Sequence, residues 1–386
     1  MEKIVKKDQE YIKQSNKSMV LNIIKIDGPI SRADIGKITG MSPTSVSRIA
    51  ASLIEQGLVK ETELYSNGVG RKAILLDIDM ESVMTIGVYL NKNITMIGIV
   101  NFGGEVLFYE KTKLDTKNEP ELVIKKLCDK IENLLTKSGV DINRIVGVGV
   151  GLPGIIDAHN GVVVFSAQLG WKNVNVIKEI EKNLGLKAVV DNDVKLKALG
   201  ESLYGSAKNS KSTALISIGS GVGSALIING EIFRGETNIA GEIGHITLDP
   251  NGMFCDCGRR GCLQTFIVED RLLLEANNIR PTETVKEIIV AADNSEDWAI
   301  NILDRVATYI CIAINNTVCM YNPDSIILAG KLIEENPGII PFIEKKNNAS
   351  TWEPLRGNYK IVYSQLEQKT DIIGGATLAS KTFLDL

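Results

Sequence analysis

The chain has 386 residues, a net charge of -4, 44% hydrophobic and 23% charged residues. That length predicts two or three domains, and the composition excludes a collagen-like, disulfide-scaffold or mostly disordered protein. The opening MEKIVKKDQEYIKQSNK lacks the apolar core of a secretory signal. The most apolar stretch, Ile145 to Ile156, is broken by glycines and a proline and falls short of the roughly 20 residues a spanning helix needs. A cytoplasmic chain with no membrane partner is expected.

Met19, Val20, Ile23, Ile24 and Ile26 recur at helical spacing and stop at Asp27-Gly28-Pro29, a turn signal. Ser31 then reads as the N-cap of a second helix, with Asp34 as its capping-box acid, Ile35 and Ile38 inward and Gly40 at its end. Ser42 caps a third helix with Pro43 at the first helical position. Val46, Ile49, Ala50, Leu53 and Ile54 form its apolar face, while Thr44, Ser45, Ser47 and Arg48 form the other. Two strands follow, near Leu58–Lys60 and Ala73–Leu76, around a loop that carries Gly70-Arg71-Lys72.

That order, helix, helix, tight turn, helix and hairpin, describes a winged helix-turn-helix over residues 1–80. The third helix would enter a major groove with Ser42, Thr44, Ser45, Ser47 and Arg48, and the wing would set Arg71 and Lys72 against phosphates. Charge agrees mildly: residues 1–80 carry 12 Lys/Arg and 10 Asp/Glu, the remainder 31 and 37. A small helical protein-interaction domain with a merely solvated polar face is the bland alternative.

From Val83 the pattern becomes strand, loop, strand, tight turn, strand, and it returns at Ala214 to Phe233. Two such halves describe an α/β fold of the actin-like, sugar-kinase type over residues 81–386, in two lobes. The glycines at 219, 221 and 223 superficially suit a dinucleotide fingerprint, but that requires a helix next, and here a strand and hairpin follow. The sharpest signal is Ala240-Gly-Glu-Ile-Gly-His245, followed by Cys255-Asp-Cys257-Gly-Arg-Arg-Gly-Cys262. Three thiolates and an imidazole make a Cys₃His set suited to one structural zinc per chain, with Gly258 and Gly261 letting the chain fold back. Cys128, Cys311 and Cys319 lie in apolar helical patterns and are expected in the core.

These motifs, with Gly151-Leu-Pro-Gly154, Asp191-Asn-Asp193, Gly200-Glu201 and Ile373-Gly-Gly-Ala376, give a sequence that resembles the ROK family of bacterial sugar-responsive repressors and sugar kinases. It is most similar to the branch of xylose and N-acetylglucosamine repressors, and the resemblance runs over essentially the whole chain. It implies a sugar site at Asn192, Asp193, Glu242, His245 and Gln264, the last a neutral contact where the family has a glutamate. It also implies zinc ligands His245, Cys255, Cys257 and Cys262. Convergent carboxylates suit a ring covered in hydroxyls, since Asp193 and Glu242 can each accept two hydrogen bonds.

Departures matter too. Kinase members carry an Asp-x-Gly-Gly-Thr phosphate loop, and here the stretch is Tyr89-Leu-Asn-Lys-Asn93. Val194-Lys195 replaces the usual Ala-Asn, and Gln168 replaces a common Asn. The expectation is a non-enzymatic, DNA-binding repressor of carbohydrate genes that binds operator DNA as a homodimer or higher oligomer and answers to a sugar. The rivals are a sugar kinase with an added DNA-binding domain and a regulator controlled by a protein partner.

Overall fold

The computed structural model describes residues 2–63, 74–208, 210–366 and 369–384. It divides into two compact units, one of residues 1–191 and 371–386, the other of residues 192–370. Among the described residues, no helix is long and apolar enough to cross a membrane.

The first unit opens with helix α1 (Glu2–Asp27), strand β1 (Ile30–Ser31), helices α2 (Arg32–Thr39) and α3 (Pro43–Glu55), and strands β2 (Val59–Glu63) and β3 (Ile74–Ile78). The caps fall where the side chains demand them. Ser31 accepts from the Asp34 N–H, Ser42 accepts from the Ser45 N–H, and Gly40 ends α2 in the left-handed region. Strands β2 and β3 pair antiparallel from Val59–Ile78 to Glu63–Ile74, and β1 adds a short third strand to β3. Val20, Ile24, Ile35, Val46, Ala50, Leu53, Leu58 and Leu76 form the core, joined by Phe102 and by half-buried Leu384 near the carboxyl end. The Lys17 ammonium donates to the Leu384 carbonyl at 3.0 Å. The expected inward role of Ile38 is wrong: it is 57% exposed. Eight residues of helix offer one narrow buried stripe, which Ile35 fills, and Ile38 lies about 60° round from it.

The unit continues with β4 (Met84–Leu90), β5 (Thr95–Asn101), β6 (Val106–Thr112), α4 (Pro120–Ser138), β7 (Ile145–Leu152), β8 (Ile155–Asp157), β9 (Val162–Ser166), β10 (Trp171–Asn175), α5 (Val176–Leu184) and β11 (Ala188–Asn192). The second unit comprises α6 (Asp193–Tyr204), β12 (Ser212–Ile218), β13 (Val222–Ile228), β14 (Glu231–Ile232), α7 (Gln264–Ile267), α8 (Glu269–Asn277), α9 (Val285–Asp293), α10 (Asp297–Tyr321), β15 (Ser325–Ala329), α11 (Lys331–Glu334), α12 (Ile340–Ser350) and β16 (Lys360–Tyr363). Helix α13 (Thr370–Phe383) returns to the first unit.

The repeat seen in the sequence is a topological one. The two five-stranded sheets run β6-β5-β4-β7-β11 and β14-β13-β12-β15-β16. In each, the central strand, β4 or β12, pairs antiparallel with the strand that follows it, β5 or β13, and parallel with β7 or β15. The glycine loop 219–223 leads from β12 directly into β13, so the dinucleotide-fold alternative fails on its missing helix. Cys128 and Cys311 are buried as expected, but Cys319 is exposed, because the stripe of α10 buries Val318 and turns the next residue outward.

Helix α13 lies directly on its sheet. A Cβ placed on Gly149 in β7 would sit 1.9 Å from the Gly375 carbonyl oxygen. Gly149→Ala is expected to lower stability by about 1–3 kcal/mol, the usual cost of overpacking, and thermal unfolding of the two proteins side by side checks it.

Candidate functional site

Helix α3 presents the polar face read from the sequence. Ser42, Thr44, Ser47 and Arg48 are exposed and Ser45 is half-buried. The Ser42 hydroxyl donates to Ser45 Oγ at 2.9 Å, so those two groups fix the start of the helix, while Thr44, Ser47 and Arg48 project outward from its first turns. Arg71 and Lys72 lie outside the described residues.

In the second unit, the chain enters α6 through Asn192, whose side-chain oxygen accepts from the Lys195 N–H at 3.3 Å. Asp193 follows at the first helical position, where the N–H groups of the helix start favour a negative charge. Burial of its carboxyl group pushes the pKa up to about 6; the Val194 N–H, donating at 3.0 Å, and the Lys197 charge pull it back, and the Glu242 charge adds to the rise. Lys195 and Lys197, charged residues expected at the surface, are almost wholly inaccessible. The Lys195 ammonium donates to the Asn238 carbonyl at 2.5 Å and to its side-chain oxygen at 2.8 Å, and Arg234 donates to the same side-chain oxygen at 3.1 Å. The residue that departs from the family pattern thus holds the loop leading to Gly241. Lys197 pairs with Glu334 at 3.3 Å.

The segment carrying Glu242 and His245 is pinned on β13. The Ser224 N–H and hydroxyl both donate to the Gly241 carbonyl, at 2.8 and 3.1 Å. Glu242 is exposed at the start of the short turn Ile243–His245, and His245 is half-buried. The sequence from Thr247 to Cys262 folds back on itself: Leu248 N–H donates to the Gly261 carbonyl and Leu263 N–H to the Ile246 carbonyl, both at 2.8 Å. Gly258 and Gly261 take φ of +85° and +64°, as the tight return requires.

That fold-back gathers His245, Cys255, Cys257 and Cys262, whose ligand atoms all lie within 4.8 Å of one another. Cys255 Sγ is 3.6 Å from His245 Nδ1, and Cys257 Sγ is 3.6 Å from Cys262 Sγ. A tetrahedron with metal–sulfur bonds of about 2.3 Å has sulfur–sulfur edges of about 3.8 Å, so the donor set fits a four-coordinate cation. Hydrogen bonding from the Arg259 N–H lowers the Cys257 thiol to about 6, and burial pushes Cys262 up to about 12. A divalent cation would supply the charge that ionises the buried sulfur. Arg259 also donates from its guanidinium to the His245 carbonyl at 2.9 Å. Gln264 stands beside the cluster, its amide donating to Cys255 Sγ at 3.2 Å.

In the first unit, the turn between β4 and β5 is closed on itself. Asn91 Oδ1 accepts from the Asn93 and Ile94 N–H groups, each at 2.8 Å, and the Asn91 N–H donates to the Ile94 carbonyl at 3.0 Å. The Asn91, Asn93 and Ile94 amides are therefore spent within the turn instead of being directed at a phosphate.

The architecture is that of a winged helix joined to a duplicated α/β fold of the sugar-kinase type, and comparison with known proteins agrees. Residues 85–382 match the ROK family and residues 14–66 the MarR family. The xylose repressor of Bacillus spizizenii is 27% identical over 379 residues, 98% of each chain. The DNA-binding transcriptional dual regulator NagC of Escherichia coli is 28% identical over 386 residues, covering 97% of this chain and 95% of that one. A crystal structure of a ROK family transcriptional regulator, a homologue of the E. coli MLC protein, superposes with a TM-score of 0.82 at 27% identity over 97% of both chains. This chain belongs to the ROK family.

The state of Asp193 is testable. Its folded pKa is raised from 3.8 to about 6, so the native state binds the extra proton and loses stability as pH rises through that window. Asp193→Asn should therefore gain stability over wild type between pH 4 and 7, by about 2 kcal/mol once the shift is discounted for partial solvent access. A difference in unfolding midpoint that stays flat across that range would contradict the assignment.

Proposed function

We propose that this chain is a cytoplasmic transcriptional repressor that binds operator DNA through residues 1–80 and a sugar effector through residues 81–386, as a homodimer or higher oligomer and without catalysis. The observation that carries the reading is the union, in one chain, of an exposed polar helix start on a helix-turn-helix with the Asn192, Asp193, Glu242 and His245 set on a sugar-kinase-type fold. The spent amides of the Asn91 turn favour binding over phosphoryl transfer, as do the repressors among its relatives.

The groups divide the work by their chemistry. Thr44, Ser47 and Arg48 supply donors to base edges and phosphates in a major groove, with Ser42 and Ser45 holding the helix start and Arg71 and Lys72 as wing contacts. Asn192 and Asp193 take sugar hydroxyls at the start of α6, and Glu242 and His245 take others from the pinned loop. His245, Cys255, Cys257 and Cys262 would hold one zinc per chain, which as a structural ion fixes the loop geometry and supplies no reaction. Relatives that include a xylose repressor and the N-acetylglucosamine repressor of Escherichia coli make xylose and N-acetylglucosamine the first sugars to try.

Metal analysis of protein purified in reducing, chelator-free buffer should return about one zinc per chain, and Cys257→Ala should lose it together with thermal stability of the second unit. A metal-free wild type would contradict the assignment.

Mobility-shift titrations test the rest. Arg48→Ala should weaken operator binding by about 1–3 kcal/mol and leave sugar binding intact. Asp193→Ala should bind the operator normally and no longer respond to the sugar that shifts wild type. An Asp193→Ala protein that responds at wild-type sugar concentrations overturns the pocket.

A further inference from the structure

Glu201 lies in α6 about two turns beyond Asp193 and is fully buried. Its carboxylate collects donors from two places. Oε2 accepts from the Ser206 N–H at 2.9 Å and hydroxyl at 3.0 Å, in the turn that follows α6. Oε1 accepts from the Ser364 hydroxyl at 2.7 Å, the Gln365 and Leu366 N–H groups, each at 3.2 Å, and the buried Thr370 hydroxyl at 3.3 Å. A Cβ on Gly205 would collide with Oε2, so the glycine there leaves the carboxylate its place. The chain passes between the two units at Asp191–Asn192 and again at Thr370–Asp371. Helix α6 holds both crossings: it continues the first through Asn192, its N-cap, and Glu201 grips the segment that makes the second.

From that second crossing α13 runs 14 residues, about 21 Å, within the first unit. At its start it rests backbone on backbone, since Gly87 and Gly149 leave no room for a Cβ against the Ile372 and Gly375 carbonyls. Just past its far end, half-buried Leu384 packs into the winged-helix core, and Lys17 of α1 donates to the Leu384 carbonyl at 3.0 Å. The helix whose start carries Asn192 and Asp193 is thus joined, through one carboxylate and one continuous helix, to the packing of α1. An amide cannot replace that carboxylate. Backbone N–H groups face both of its oxygens, Ser206 on one side and Gln365 and Leu366 on the other, and they cannot turn into acceptors. Whichever way a glutamine turned, its NH₂ would meet an N–H.

We infer that Glu201 is the positioning residue that carries the sugar signal to the DNA-binding domain: it clamps the start of α13 to the helix that holds the sugar, and α13 delivers the shift to α1 through Leu384. This rests on the reading of Asn192 and Asp193 as sugar contacts. Sugar hydroxyls load the first turn of α6, the clamp passes any displacement of α6 to Thr370, and the helix moves as a packed rod, as in shear transitions. Glu201 touches neither ligand, so its loss should uncouple the two sites and leave each able to bind.

The test compares full-length wild type, Glu201→Gln and Leu384→Ala, with a monosaccharide panel led by xylose and N-acetylglucosamine and a DNA fragment selected by the wild-type protein. Two readouts are taken with and without sugar: DNA affinity, and amide hydrogen exchange in peptides from α6, α13 and α1. In wild type the active sugar should change DNA affinity by about 5- to 150-fold, the usual range of coupling, and alter exchange in all three helices. Glu201→Gln should bind the sugar and, without it, the DNA. Its exchange should respond at the start of α6 only, and its sugar-induced change in DNA affinity should fall below about twofold. Leu384→Ala, which alters only the far end of the route, decides the matter if Glu201→Gln does not fold: its exchange response should reach α13 but not α1, with the same loss of coupling. A folded variant of either kind that binds the sugar and keeps the wild-type change in DNA affinity overturns this inference and leaves the sugar reading standing. A wild type that binds no sugar of the panel overturns both.

Discussion

Helix α6 sets the terms for the second unit, because eight consecutive residues of it, Lys195 to Ser202, are buried. Charged groups there lose water, and each must find a built partner or stay at a cost of several kcal/mol. Lys195 finds Asn238, and Lys197 finds Glu334. Glu201, fully buried, accepts from the Ser206 N–H and hydroxyl, the Ser364 and Thr370 hydroxyls, and the Gln365 and Leu366 N–H groups. Asp193, at the start of the same helix, has a pKa raised to about 6, because the Val194 N–H and the Lys197 charge offset only part of its desolvation. A carboxylate held ready in this way gains most from a ligand that brings hydroxyl donors.

The second half of the site depends on a different device. Glu242 and His245 sit on a segment with no regular structure beyond one short turn, so the helix and sheet ladders do not hold it. It is held instead at three points: Lys195 on Asn238 before it, Ser224 on the Gly241 carbonyl within it, and the cysteine fold-back after it. His245 belongs both to the metal set and to the proposed sugar set, so the geometry of one fixes the geometry of the other. A polar pocket on a loop needs this much support, since a displacement of about 1 Å is enough to spoil a set of directed hydrogen bonds.

Much of this was legible from residue types alone. Ser31, Ser42, Pro43 and Gly40 mark helix ends by chemistry that acts within a few residues, and each end falls where they put it. The cysteine set was legible because three thiols in eight residues have few other uses, and the repeat because short apolar strands joined by glycine-containing tight turns are local signals. What could not be read was what depends on a distant partner. Nothing in Val194-Lys-Leu-Lys197 announces that both ammonium groups are buried, since Asn238 and Glu334 lie 43 and 137 residues on. Ile38 and Cys319 were misplaced for the opposite reason: apolar spacing gives a stripe but not its width, and both sit just past the edge of one. Strand β1, two residues long, is too short to leave a pattern.

A sugar-responsive repressor couples a DNA-bound state to a sugar-bound state within one chain. Coupling between two binding sites is reciprocal, so a sugar that weakens operator binding by some factor must itself bind the operator complex more weakly by the same factor. The direct measurement is a calorimetric titration of the sugar into free protein and into protein saturated with an operator fragment, at one salt concentration. Coupling requires two different affinities whose ratio equals the sugar-induced change in operator affinity, about tenfold for each 1.4 kcal/mol. Identical sugar affinity in the two titrations would contradict it.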